Sequence, residues 1–334
     1  MSLEVFARNL DASTPLTPLV RQARDLTVRR FGLTMQLFAP LYLSNACINT
    51  CTYCGFSRPN AIARRTLTEA ELSREMDHVA HEGFRHLLLV SGEDPRESSL
   101  DYLERAVRLA HGRFASVSIE VAPLDEAGYR RMLAAGAEGV VVYQEAYDRN
   151  AYAAVHTAGP KKDYDARLKA PQTAARAGMR RLGIGALLGL APWKQEAMAL
   201  AGHALRLQKT AWRSTLTLSL PRLRPAAGDF VPAHPVSDED LVRLIAALRL
   251  LLPDAGIVLS TREAPELRDR LALAGVTMMS AGSRTEPGGY EEPEKAEGQF
   301  ELSDARSPAE VAERLRSLGL DPVWKDWDAA LLAT

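Results

Sequence analysis

The sequence predicts an α/β protein: a closed (β/α)8 barrel of the TIM type, with a short N-terminal helix before it and a C-terminal loop-and-helix extension after it. Three observations carry that prediction. Between about residues 35 and 283, eight short apolar runs alternate with amphipathic stretches: MQLFAPLYLS, HLLLVSGE, VSIEVAP, GVVVYQE, LGIGALLGL, TLTLSLP, GIVLSTRE and VTMMSAGS. Most of these runs are continuously apolar rather than alternating, as parallel strands covered by helices are. The amphipathic stretches end again and again on Ala-Gly, at 135–136, 177–178 and 274–275, each followed within a few residues by a strand. An iterated strand–helix unit is the signature of a barrel. A doubly wound open sheet is the rival. Its one support, Gly183-Ile-Gly185-Ala-Leu-Leu-Gly189, has the wrong spacing for a dinucleotide fingerprint and lies inside a strand. Those glycines read as points of close backbone approach.

The elements follow in order. Residues 1–34 contain a lead-in helix, PLVRQARDLTVRRFG, and residues 35–285 form the barrel. Its first strand runs directly into SNACINTCTYCGFS. The first barrel helix, TLTEAELSREMDHVAHEG, opens with a Thr68–Glu71 capping box and closes on Gly83. Residues 286–334 form an extension: a loop rich in Gly, Pro and Glu, a helix SPAEVAERLRSLG, and the segment DPVWKDWD. The loop reads as a solvated lid or a packing arm.

A net charge of −1 disfavours nucleic acid or an acidic membrane surface as partner, because both require a concentrated basic face. The pairs Arg64-Arg65 and Arg180-Arg181 read as solvated helix flanks or small-anion contacts. The richest apolar stretch, LVRLIAALRLLLP, is interrupted by Arg243 and Arg249, so no membrane span is expected. The first residues, MSLEVFARNLDAS, lack the apolar core of a signal peptide, and a reducing, cytoplasmic setting is expected.

All three cysteines fall at Cys47, Cys51 and Cys54, a C-x3-C-x2-C spacing. An odd count in a reducing compartment argues against disulfides. Structural zinc would need a fourth ligand from a distant histidine such as His78, His81 or His86. A [4Fe–4S] cluster fits better: three thiolates hold three irons and leave the fourth open, which suits a catalyst more than an electron carrier. A cysteine loop directly after the first strand lies at the C-terminal mouth of a barrel, where active sites form. Five other strand ends bring polar side chains to that mouth: Glu93, Glu120, Glu145, Arg262, and Ser280 with Ser283. Each alone reads equally as a helix cap or a surface pair.

At this point a resemblance emerges. Cys47, Cys51 and Cys54, with Tyr53 before the last, resemble the radical S-adenosylmethionine motif. PLYLSNACINTCTYCGFS, LLLVSGE, VVYQEAY, SLPRLRP, LSTREAPELRDR, SRTEPGGY and VWKDWD resemble, in the same order, the tyrosine lyases of thiazole biosynthesis, the 2-iminoacetate synthase family. The resemblance implies a 4Fe-4S cluster on the three cysteines and S-adenosyl-L-methionine at the open iron, cleaved to a 5′-deoxyadenosyl radical. It places Glu93 on the methionine ammonium, Arg167 on the methionine carboxylate, Glu120 and Glu145 on ribose hydroxyls or the methionine moiety, and Tyr53 beside adenine. The substrate implied is L-tyrosine, cut between Cα and Cβ into 2-iminoacetate and p-cresol. Arg262 would anchor its carboxylate, with Ser280 and Tyr42 completing the hydrogen bonds. Thiazole synthase is the implied protein partner, and a flavodoxin or ferredoxin the implied electron donor. A sister lyase acting on L-tryptophan is the alternative, and a non-catalytic zinc or iron–sulfur protein the alternative of another class. The tyrosine lyase of hydrogenase maturation carries a second, C-terminal cysteine cluster, and no cysteine follows Cys54 here.

Overall fold

The apolar runs become β1 (Thr34–Ser44), β2 (His86–Ser91), β3 (Ser116–Glu120), β4 (Gly139–Glu145), β5 (Arg181–Ala186), β6 (Thr215–Ser219), β7 (Gly256–Leu259) and β8 (Met278–Ser280) in the computed structural model, which describes residues 1–228 and 230–324. All neighbours are parallel, and the sheet closes when Gln36–Phe38 of β1 pair with Met278–Ser280 of β8. The expected barrel is therefore the observed fold, and the open sheet is excluded by that closing ladder. Inside β5, a Cβ at Gly185 would stand 2.3 Å from the Ser219 carbonyl oxygen of β6. Close packing of neighbours explains that glycine.

Helices α3 (Glu69–His81), α4 (Leu100–His111), α5 (Glu126–Ala135), α7 (Tyr164–Ala177), α8 (Trp193–Thr210), α9 (Asp238–Leu251), α10 (Pro265–Ala272) and α11 (Pro308–Ser317) form the outer ring, and α6 (Arg149–Val155) is an extra turn before α7. Local chemistry sets their ends. Thr68 and Glu71 cap each other reciprocally at the start of α3, and Gly136 and Gly178 close α5 and α7 in left-handed conformation.

Three features depart from the sequence reading. The N-terminal segment holds two helices, α1 (Leu3–Asn9) and α2 (Leu16–Phe31), rather than one. The shorter one is too brief to show a period, and it is held by burial of Phe6 and Leu10 in the main core. Its turn is fastened by Arg243, which donates to the carbonyls of Asp11 and Thr14. Arg249 is likewise buried, donating to the carbonyls of Gly275, Pro253 and Ala255. The apolar stretch these arginines interrupt is thus a helix, α9, covered on both sides by the barrel and α2. Finally, Asp321–Val323 form a ninth strand, β9, paired with Thr34–Gln36. Three residues are below what a periodicity reading detects.

The loop after residue 286 is a packing arm. Tyr290 donates its hydroxyl to the Pro40 carbonyl of β1, and the backbone amides of Tyr290 and Glu291 donate to Glu75 of α3. The KDWD portion of the last matching segment lies outside the described residues. No helix among the described residues is long and apolar enough to cross a membrane.

Candidate active site

The cysteine loop is fixed from several sides. Arg64, though exposed, donates to the carbonyls of Asn45 (2.8 Å), Phe56 (2.9 Å) and Ser57 (2.7 Å), so it staples the loop. Its neighbour Arg65 reaches Glu71 and Glu292, tying the loop's exit to the packing arm. Thr50–Cys51 pair antiparallel with the segment His156–Ala158. At Gly92, beyond β2, an added Cβ would lie 2.2 Å from the Ala46 carbonyl oxygen, so only glycine lets this turn pass under the loop.

Cys51 is buried and Cys47 and Cys54 are half-buried, all as free thiols. Two side-chain amides point at sulfur: Asn49 Nδ2 lies 3.7 Å from Cys47 Sγ, and Gln299 Nε2 lies 3.6 Å from Cys54 Sγ. Burial pushes the Cys51 thiol up to about 12, opposed chiefly by the Lys161 ammonium. Soft thiols, N–H groups aimed at sulfur and a nearby cation form the environment an anionic iron–sulfur cluster requires. Among the described residues no three His, Cys, Asp or Glu side chains converge as ligands of one ion would. Two of the three histidines weighed for zinc are engaged elsewhere: His78 with Glu291, and His86 with Gln36 inside the barrel.

Beside this loop lies a buried charge network. Glu93 accepts from Arg167 Nη1 (2.9 Å) and Asn49 Nδ2 (2.7 Å), and Arg167 Nε donates to the Tyr143 carbonyl (2.6 Å). Lys161, in the turn Pro160–Lys162, places Nζ 2.8 Å from Glu145 Oε1. Burial opposes ionisation of Glu93, but Arg167 and then Lys161 outweigh it and hold the carboxyl below its ordinary range. Glu145 has φ 68°, the only left-handed non-glycine backbone among the described residues. Tyr53 sits across from this network, its hydroxyl 2.9 Å from His156 Nε2.

The remaining predicted residues face the barrel axis. A cavity of about 560 Å³ is bounded by Tyr42, Glu120, Tyr143, Arg262, Ser280 and Ser283, over an apolar floor that includes Leu88 and Val258. A second, of about 490 Å³, is bounded by Tyr53, Cys54, Glu145, Lys161, Leu187 and Leu223. The two share a wall that includes Glu120, Arg262, Gln299 and Phe300. A further cavity, about 510 Å³ near His86 and Arg181 lower in the barrel, touches none of the predicted site residues.

Arg262 lies over the Phe300 ring, 3.3 Å from its centroid, and has no ion pair among the described residues. Glu263, the neighbour it could have paired with, belongs to Arg222. The hydroxyls of Ser280 and Ser283 are buried without a partner among the described residues. Tyr42 donates to Gln299 Oε1 at 2.9 Å, so Gln299 bridges the two cavities, with its other end on Cys54. The structure thus gathers all eleven predicted site residues around one mouth. Sequence reasoning missed Asn49, Lys161, Gln299 and Phe300. Asn49 was available within the cysteine loop itself. The other three sit in irregular segments whose position only tertiary packing decides.

Residues 41–199 match the radical SAM superfamily, and residues 219–321 match the Biotin and Thiamin Synthesis associated domain. The 2-iminoacetate synthase of Salmonella typhimurium is 43% identical over 96% of this chain and 85% of its own length, and that of Escherichia coli is 44% identical with the same coverage. Among solved structures, the FeFe-hydrogenase maturase HydG from Carboxydothermus hydrogenoformans superposes with a TM-score of 0.92 at 37% identity, covering 98% of this chain and 76% of that one. With the cysteine loop, the charge network and the closed barrel in place, the conclusion is that this chain belongs to the 2-iminoacetate synthase family of the radical SAM superfamily.

Proposed function

We propose that this protein is a 2-iminoacetate synthase that cleaves the Cα–Cβ bond of L-tyrosine, giving 2-iminoacetate and p-cresol for thiazole assembly. The observation that carries this reading is the shared wall: an arginine without a carboxylate and serines without partners face a cavity that opens onto the cysteine loop.

Cys47, Cys51 and Cys54 would hold a 4Fe-4S cluster, with Asn49 and Gln299 donating toward two of the sulfurs. Glu93, Arg167, Glu145, Lys161 and Tyr53 would surround S-adenosyl-L-methionine. When bound, cluster and cofactor supply one-electron chemistry, a carbon radical able to take a hydrogen atom from a substrate. The protein's part is to present that substrate. Arg262, its plane fixed by Phe300, offers parallel N–H groups to a carboxylate, and Ser280 offers a free hydroxyl beside it. Tyr42, held by Gln299, closes the side nearest the cysteine loop. The packing arm roofs the mouth and excludes water, which strengthens each of these contacts and protects a reactive intermediate. In this division residues 1–34 brace the barrel, residues 35–285 carry the chemistry, and the extension of residues 286–334 supplies, in its described part, the roof. Thiazole synthase would take up the imine, and a flavodoxin or ferredoxin would deliver the electron.

The test is product identification. Anaerobically reconstituted enzyme, offered tyrosine and tryptophan together, is expected to release p-cresol in large excess. An indole-derived acid or 3-methylindole at a comparable rate would assign the chain to the tryptophan lyases instead.

A further inference from the structure

Among the described residues, Glu120 and Arg262 border both cavities without an ion pair, and they carry opposite signs. Glu93 is taken by Arg167 and Asn49, and Glu145 by Lys161. Glu120, at the end of β3 opposite Val90 of β2, has neither hydrogen bond nor ion pair among the described residues, and it borders both cavities. Arg262, across the same cavity, is equally without an anion. An unpaired carboxylate and an unpaired guanidinium facing one cavity are the complement of an α-amino acid zwitterion. Leaving either charge unpaired against such a space is unfavourable, so both call for a ligand.

Resting on the reading that L-tyrosine is the substrate, we infer that Glu120 binds the substrate's α-ammonium and accepts one of its protons. The step is a plain proton transfer: one N–H bond of the ammonium breaks, one O–H bond forms on the Glu120 carboxyl, and no electron changes hands. It leaves a neutral amine and a neutral carboxylic acid. The need for it is chemical. A hydrogen atom leaves a neutral amine far more readily than an ammonium, whose positive charge would remain on an electron-poor nitrogen. Glu120 faces Tyr42 from β1, Tyr143 and Glu145 from β4, Lys161 and Arg167 from the segment after β4, and Arg262 from the end of β7. Burial first, and then the neighbouring Glu145, push its carboxyl up to about 7 against the pull of Lys161, Arg262 and Arg167. That brings it toward the range of an α-amino group and makes it a competent acceptor at neutral pH.

The experiment uses the reconstituted holoenzyme with S-adenosylmethionine present and no reductant, so that binding is read without turnover. Affinity is measured by calorimetry for tyrosine and for 3-(4-hydroxyphenyl)propanoate, which lacks the amino group. In Glu120→Gln, tyrosine is expected to weaken on the order of tenfold to a hundredfold, as loss of a charged hydrogen bond gives. The desamino analogue should bind unchanged or more tightly, and S-adenosylmethionine should bind as before. With reductant added, the wild-type rate of p-cresol formation should rise with pH through an ionisation near 7. Glu120→Asp should keep that rise and Glu120→Gln should lose it. If Glu120→Gln instead weakens S-adenosylmethionine and leaves the tyrosine-to-analogue ratio unaltered, Glu120 holds the cofactor's hydroxyls and the inference is wrong. If the wild type binds no tyrosine, the substrate reading fails first and this inference falls with it.

Discussion

At the scale of single residues, Glu145 shows how the site is held. Its left-handed backbone costs a non-glycine residue about 1–3 kcal/mol, and it persists because Lys161 Nζ (2.8 Å) and Arg167 Nη2 (3.9 Å) fix the carboxylate. The strand-end rule located Glu93, Glu120, Glu145 and Arg262 from sequence, since a parallel strand delivers its last side chain to the barrel mouth wherever the helices lie. Lys161 and Gln299 escaped it because nothing local marks them. One sits in a short turn and the other in an irregular arm, and only the folded barrel brings them to the sulfurs. The cysteines carry the sharpest residue-level expectation. In the proposed cluster each would be the sole thiolate for one iron, so Cys47→Ala, Cys51→Ala and Cys54→Ala should each reduce reconstituted iron and sulfide to background. Wild-type iron content in any one of them would contradict the cluster assignment.

At the scale of elements, the extension depends on a buried ion pair. Arg268 of α10 and Asp304, before α11, bond with both side chains fully buried. Arg268 also donates to the Ser280 carbonyl at the end of β8, and Asp304 is shared with Arg306, which reaches Asp269. One pair therefore links the last barrel strand, its helix and the arm. Asp304→Asn would leave the Arg268 charge buried with its main partner gone, and a loss of about 3–5 kcal/mol in unfolding free energy is expected from denaturant titration. The double variant Arg268→Met/Asp304→Leu should recover much of that loss, because it removes both charges. A single variant within about 1 kcal/mol of wild type would show that the pair is not structural. Burial is a property of the assembled layers, and nothing local in the sequence around Arg268 or Asp304 announces it. α1 and β9 escaped for a different reason: seven and three residues are too few to establish a repeating pattern.

For the whole molecule, barrel order was readable because strand and helix alternate with so few irregular insertions, and the ladder between β1 and β8 then follows from closure. Acid stability is a global consequence of what that closure buries. Burial pushes His203 down to about 4 and His86 down to about 3, so both stay neutral in the fold while the unfolded chain protonates near 6.5. The unfolded state therefore binds more protons below pH 6.5, and stability falls as pH drops from 6.5 toward 4. Each such histidine contributes up to about 1.4 kcal/mol per pH unit. His203→Gln, which can still accept from the Tyr147 hydroxyl, should make the loss between pH 6.5 and 4.5 visibly shallower. An unchanged slope would mean that His203 is not a source of the acid sensitivity.

The proposed presentation of a tyrosine carboxylate to Arg262 beside the cluster is checked by quantifying p-cresol and 5′-deoxyadenosine in the same anaerobic reaction. Wild type should form the two in comparable amounts from tyrosine. Removing one member of a buried ion pair costs about 3–5 kcal/mol, so Arg262→Ala should lose p-cresol by roughly a hundred- to several-thousand-fold. Its 5′-deoxyadenosine should persist as an uncoupled product. If Arg262→Ala keeps both products at wild-type levels and in the wild-type ratio, the carboxylate is anchored elsewhere and Arg262 does not bind the substrate.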